Sequence, residues 1–143
     1  MLVGNLLSHK GRDVATIPHG RSLSEAIATL KELRIGALVV TGDTPPLVGI
    51  FSERDVVRAL ATDGVDALSM SVARYMSTDV VICHEATTMQ GLMSMMTQRR
   101  IRHVPVVENN VLVGMISIGD VVKSRLDELE HEKEDLIQFI SAH

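Results

Sequence analysis

Ser52 and Asp55 stand three residues apart, and Ser117 and Asp120 repeat that spacing. Residues at i and i+3 of a helix share one face. Both pairs fall where an apolar run gives way to a helical pattern, so each marks a helix N-terminus. Backbone N–H groups without intrahelical partners point outward there, and the helix dipole favours an anion. A serine hydroxyl adds a donor for phosphate, and an aspartate accepts hydrogen bonds from paired hydroxyls such as those of a ribose. The same residues also make a plain cap, Ser at N-cap with an acid at N3, worth about 1 kcal/mol. Local pattern leaves both roles open.

Arg102 and His103 form a second candidate pair. The planar guanidinium fork suits phosphate. Imidazole adds a donor, and a positive charge when protonated. They also read as solvated residues at the start of the strand that Val104-Pro105-Val106-Val107 announces. The other reactive side chains assemble into no catalytic set. Cys83 reads as a small buried hydrophobe. The six histidines lack metal-ligand spacing, and no Cys/His cluster exists, so no metal is expected. With no nucleophile–base pair and no acid pair, the chain does not read as an enzyme.

Two matching frameworks must position these residues. Asp13-Val14 and Asp79-Val80 each open a stretch that reaches Ile35 or Ile101, and both landmarks differ by 66. Gly49 to Asp55 and Gly114 to Asp120 then recur at an offset of 65, so one residue is lost in the polar turn between. Each unit reads strand, helix, strand, strand, helix. First strands are expected over 14–17, closed by Pro18, and over 80–83. A helix follows over about 23–33, where Ser22 and Glu25 have capping-box spacing and Leu23, Ala26, Ile27 and Leu30 form one face. The second copy offers Met89, Leu92, Met93 and Met96. Two apolar runs come next, separated by Gly42-Asp43-Thr44-Pro45 or by Glu108-Asn109-Asn110, a hairpin pattern. Their lack of alternation predicts burial on both faces. The closing helices begin near Ser52 and Ser117.

This β-α-β-β-α unit occurring twice, each copy closed by Gly-apolar-apolar-Ser-x-x-Asp, resembles the tandem CBS domain pair, the Bateman module. Ile35-Gly36-Ala37-Leu38-Val39-Val40 and Ile101-Arg102-His103-Val104-Pro105-Val106-Val107 also look like the family's second strand. The resemblance covers about residues 13–123, and the whole chain is similar to small bacterial proteins that contain little besides the pair. It implies an α/β (α+β) fold with the repeats related by pseudo-two-fold symmetry. Expected boundaries are an N-terminal segment (1–12), repeat one (13–68), repeat two (69–123) and a C-terminal helix extension (124–143). The resemblance further implies a non-catalytic regulatory module that binds AMP, ATP or NAD(H) in clefts between the repeats. Asp55 and Asp120 would take ribose. Arg102 and His103 would reach the phosphate of a nucleotide held by copy one, while copy one offers only Gly36 and Ala37 in return. The adenine slot of the first cleft would use Thr16, Ile17, Ile35 and the Gly36 backbone; that of the second, Ile82, Cys83 and Ile101. Ser52, Arg54 and Ser117 complete the expected nucleotide-binding set. Alternatives are a structural dimer with vestigial clefts, or a binder of S-adenosylmethionine, which lacks phosphate.

Composition sets the outer bounds. Hydrophobic residues make up 45% and aromatics 2%, so Val, Ile, Leu and Met must build the core. The eight methionines read as core filler. A net charge of −4, with no Lys/Arg run, gives no attraction to nucleic acid. Apolar runs are too short to cross a bilayer, and Met1 to Leu7 lack the features of a signal peptide. One cysteine suits a reducing compartment, so a cytoplasmic protein is expected. Val122, Leu126, Leu129, Leu136 and Ile140 form a heptad-like seam among acidic residues, interrupted by Lys133. That seam, with the family's habit of pairing, predicts a homodimer. In the alternative reading the acidic helix docks another protein.

Overall fold

In the computed structural model, which describes residues 1–142, the elements run α1 (Val3–Lys10), β1 (Thr16–Pro18), α2 (Leu23–Leu33), β2 (Ala37–Thr41), β3 (Gly49–Ser52) and α3 (Glu53–Asp63). Two short 3-10 turns, Gly64–Ser69 and Val72–Arg74, lead to α4 (Met89–Arg99), β4 (His103–Glu108), β5 (Val111–Ser117) and α5 (Ile118–Ala142). No helix among the described residues is long and apolar enough to cross a membrane.

Local signals build the first repeat in the expected element order, although β1 runs over Thr16–Pro18 and not over 14–17. The Ser22 Oγ accepts the Glu25 N–H at 3.2 Å and starts α2, which buries Leu23, Ala26 and Leu30. β1 pairs parallel with β2, and β2 pairs antiparallel with β3, from Ala37 opposite Ser52 to Val40 opposite Gly49. Pro18 ends β1, an edge strand, where a missing N–H costs no ladder bond. Residues 37–40 of β2 are all buried, as are 104–107 of β4. β3 and β5 differ from expectation. They alternate between buried and partly exposed positions, so only one face of each meets the core.

The second repeat keeps the same register, with His103 opposite Ser117, and closes its hairpin on Asn109 and Asn110, both at positive φ. It lacks the first strand expected over 80–83. Only Cys83 pairs there, opposite Val106. Pro105 supplies the reason. Its counterpart in the first repeat, Val39, donates its N–H to the Ala15 carbonyl at 3.1 Å. Proline has no N–H for the matching Val81 carbonyl, so the ladder stops after one rung.

The N-terminal segment is not a separate appendage. Val3, Leu6 and Leu7 of α1 are buried in one core with Cys83, Met89, Leu92, Met96 and Val104 of the second repeat. Conversely, Val72, Tyr75 and Met76, which lead into the second repeat, pack on the core of the first. Each repeat's lead-in therefore covers the other repeat, as a pseudo-two-fold relation requires. Glycine makes room at both crossings. A Cβ on Gly49 would lie 2.7 Å from the Met76 Sδ, and one on Gly114 would lie 2.6 Å from the Leu7 Cδ2. The expected C-terminal extension is continuous with the last helix of repeat two; its final residue, His143, lies outside the described residues.

Candidate functional site

Both Ser-x-x-Asp pairs cap their helices. Asp55 Oδ2 accepts the Ser52 N–H at 2.8 Å and the Ser52 hydroxyl at 3.3 Å. Asp120 Oδ2 accepts the Ser117 N–H at 2.8 Å, and the Ser117 Oγ accepts the Asp120 N–H at 3.2 Å. The next amides are engaged too. Glu53 donates to the Gly36 carbonyl at 3.1 Å, and Ile118 donates to the Arg102 carbonyl at 2.8 Å. The outward-pointing N–H groups expected from a bare helix start are thus partly consumed inside each repeat. Those bonds also fasten the start of β2 to α3 and the start of β4 to α5; the two helix N-termini meet between the repeats.

A cavity of 490 Å³ opens there, within the range of small-molecule sites. Ser52, Glu53 and Arg54 line it from α3, and Ser117, Ile118 and Gly119 from α5. Arg100, Ile101, Arg102 and His103 enter from the second repeat, opposite Gly36. Arg100 sits at φ 54, a left-handed C-cap that turns the chain out of α4 and into β4. Arg54 donates to the Arg100 carbonyl at 3.3 Å, which joins the two repeats across the rim. Among the described residues, Arg54, Arg100 and Arg102 have no carboxylate partner within salt-bridge distance. Three guanidiniums without an ion-pair partner therefore line one cavity, beside the carboxylates of Glu53 and Asp79, in a chain of net charge −4. Ile50, Val80, Val81 and Ile101 give it an apolar wall. Such a site is fitted for an anion attached to a flat or apolar body.

His103 is half-buried, and its ring lies against Gly36, where an added Cβ would meet Cε1 at 3.3 Å. Burial, and then the nearby Arg102 charge, lower its pKa from the ordinary histidine value, with Glu53 opposing. At neutral pH it is a neutral donor or acceptor, not the cation that sequence alone allows.

Several expected positions lie elsewhere. Ile17 is 5% exposed and belongs to the first core, and Ile35 packs against it. Thr16 is exposed on the edge strand. None of the three lines the cavity; β1 is the sheet edge opposite β3, and Ile17 and Ile35 are taken up by the first core. Cys83 is 1% exposed in the second core, with its thiol pushed up to about 11 by burial and by Glu108. Ile82 is 38% exposed and does not line the cavity. Instead, Ser77, Asp79, Val80 and Val81, the lead-in of repeat two, form the wall beside Ser52. The Asp-Val landmark at 79–80 carried that signal, but a strand reading concealed it.

The two aspartates differ. Asp55 is 3% exposed; its Oδ1 accepts the Arg58 guanidinium at 2.9 Å and the Ser77 hydroxyl at 3.5 Å. It lies beneath the cavity floor rather than on it. Asp120 faces a separate open groove between α1 and α5, where Lys10 ion-pairs with it. Burial raises the Asp120 carboxyl, but the hydrogen bond and charge of Lys10, with bonds from Ser117, hold it below the usual carboxylate range.

Comparison with known proteins completes the description. The CBS domain family profile matches residues 3–62 and 72–127. The crystal structure of the CBS-domain containing protein ATU1752 from Agrobacterium tumefaciens has 49% sequence identity and a TM-score of 0.84, covering 87% of this chain and 99% of that one. The mitochondrial CBS domain-containing protein CBSX3 of Arabidopsis thaliana is 33% identical over 123 residues, 83% of this chain and 58% of the relative. The CBS domain-containing protein YhcV of Bacillus subtilis is 28% identical over 113 residues, 79% of each chain. The chain thus spans just over half the length of the Arabidopsis relative.

Proposed function

The chain belongs to the CBS domain family as a tandem pair, and from that membership we propose that its cavity binds an adenine nucleotide, AMP, ATP or NAD(H), as a regulatory signal. One observation carries the reading: three guanidiniums without carboxylate partners converge on a part-apolar cavity at a helix N-terminus. Phosphate takes Arg54, Arg100 and Arg102; the adenine takes the wall of Ile50, Val80 and Val81. Ribose reaches Asp55 only if Arg58 swings out, which its 70% exposure allows at little cost. A ligand that touches both repeats favours one relative orientation, and shifts it by no more than its difference in affinity for the two. No catalytic role is assigned to any residue.

The test is a melting-temperature panel of adenosine, AMP, ADP, ATP, NAD, NADH and S-adenosylmethionine. A nucleotide at 100-fold its dissociation constant adds about 2.7 kcal/mol of stability. Stabilisation by phosphate-bearing members and not by S-adenosylmethionine is expected. An unmoved melting temperature across the panel would refute the reading and favour an interaction dimer. We further infer a homodimer, because α5 leaves Val122, Leu126, Leu129, Leu136 and Ile140 exposed.

A further inference from the structure

The repeat relates Asp55 to Asp120, and the lead-ins correspond at Val72 and Val3, whose N–H groups donate to the carbonyls of Arg21 and Thr87. The two halves diverge just beyond the matching Met76 and Leu7, which sit over Gly49 and Gly114. In the first half the lead-in brings the uncharged Ser77 hydroxyl to Asp55, at 3.5 Å. In the second it brings an ammonium. Lys10 Nζ donates to Asp120 Oδ2 and, at 2.5 Å, to the Met115 carbonyl. The lysine does not dangle from a free tail. The Val3 N–H donates to the Thr87 carbonyl at 2.8 Å, and the Gly4 N–H to the Glu85 carbonyl at 2.9 Å. Arg12 pairs with Glu85 just beyond the helix, and Leu7 sits over Gly114. Bonds on both sides of Lys10 therefore hold its ammonium where a ribose hydroxyl would otherwise meet Asp120.

We propose that Lys10 is a built-in counterion that fills the second ribose position and limits each chain to one nucleotide. The proposal rests on reading the Arg102 cavity as a nucleotide site. Its physical basis is the contrast between the two cations. Arg58 is 70% exposed and stays solvated when it leaves Asp55. The Lys10 side chain is only 27% exposed and is anchored through α1. A ribose entering there must replace an ammonium–carboxylate pair with neutral hydroxyls and leave a half-buried ammonium without its partner, an unfavourable exchange. Gly36 and Ala37, the places equivalent to Arg102 and His103, carry no cation to recover the loss.

The experiment is calorimetric titration with AMP, supported by equilibrium dialysis to count sites, on wild type, Lys10→Met, Lys10→Gln and Lys10→Arg. One site is expected in wild type and in Lys10→Arg. A second, weaker site is expected in Lys10→Met and Lys10→Gln, with the first unchanged within about twofold. Lys10 ends its helix and carries no core packing, and two uncharged replacements guard against one misfolding. Two AMP sites in wild type would overturn the proposal. So would uncharged variants that bind AMP normally at the first site and nowhere else. Failure of wild type to bind any adenine compound would instead overturn the reading of the first cavity, and the proposal with it.

Discussion

Arg102 and Gly36 occupy equivalent places in the two repeats, and that difference gives one half of the molecule a cation that the other lacks there. A charge-assisted contact to phosphate contributes about 1.5–3 kcal/mol, or ten- to hundredfold in affinity. Arg102→Ala should lower AMP affinity by that factor in calorimetry and leave adenosine almost unchanged; an equal loss for both would show the phosphate misplaced. His103 contributes differently. Its lowered pKa keeps it neutral at pH 7, so AMP affinity should stay flat above pH 7 and strengthen only in acid, as calorimetry at several pH values would reveal. The same shift affects folding. The unfolded chain protonates this histidine near its ordinary value of 6.5, before the folded chain does. Its contribution to stability is therefore full above pH 6.5 and lost as pH falls below it. Asp120, whose pKa is also lowered, loses its contribution further down, below the ordinary value of 3.8. Melting temperature should fall on acidification in those two stages, and His103→Asn should remove the first. At this scale Ser52, Arg54, Ile101, Arg102, His103 and Ser117 were legible because the repeat and the charge pattern mark them. Lys10 and Ser77 were not, because each acts on a residue more than twenty positions away.

Pro105 shows how one residue type redraws an element. Strand propensity over 80–83 is high, yet a strand needs a partner that can donate, and β4 presents proline at the critical rung. The signal stood in the sequence, but only knowledge of which neighbour pairs with which makes it readable. The outcome matters to the site, since Val80 and Val81, released from the ladder, become cavity wall. Pro105→Val should restore a donor toward the Val81 carbonyl. Hydrogen exchange should then show a protected amide at position 105, and AMP affinity should drop as the wall is drawn into the sheet. An unprotected amide would mean that something other than proline stops the strand. The glycines test the exchanged lead-ins. A side chain at Gly49 meets the Ser77 carbonyl at 2.9 Å as well as Met76, whereas one at Gly114 meets only the Leu7 side chain. Gly49→Ala should cost about 1–3 kcal/mol in denaturant unfolding, and Gly114→Ala less, because a leucine tip moves more easily than backbone. Helices 23–33 and the starts at 53 and 118 were legible because caps and apolar faces are local. The docking of α1 was not, because its apolar residues give no hint of which core they enter.

Across the whole molecule, the surface left over after the two cores are filled is the part that calls for a partner. Val57 on α3 and Val122 on α5 are equivalent by the repeat, and they stand 67% and 51% exposed. Leu60, Leu126 and Leu129 extend this apolar surface at 40%, 60% and 44% exposure. Beyond Ser124, α5 buries no residue for about 27 Å, at roughly 1.5 Å per residue. A solitary helix of that length is marginal in water, and most helical stability comes from packing an apolar face. Its seam of Leu126, Leu129, Leu136 and Ile140 needs a cover, and a second copy offers the same heptad in return. Each apolar side chain fully buried contributes about 1.5–3 kcal/mol, so a few such pairs suffice against the cost of association. Light scattering should therefore report a dimer at micromolar concentration. Val122→Glu should weaken it at least tenfold, about 1.4 kcal/mol, since a carboxylate would be buried without a partner. Leu136→Glu should act on the distal seam alone, lowering helix content by circular dichroism as well as dimer strength. A wild-type monomer would mean that neither face is an interface between copies, and the acidic α5 would then have to be matched to a different protein.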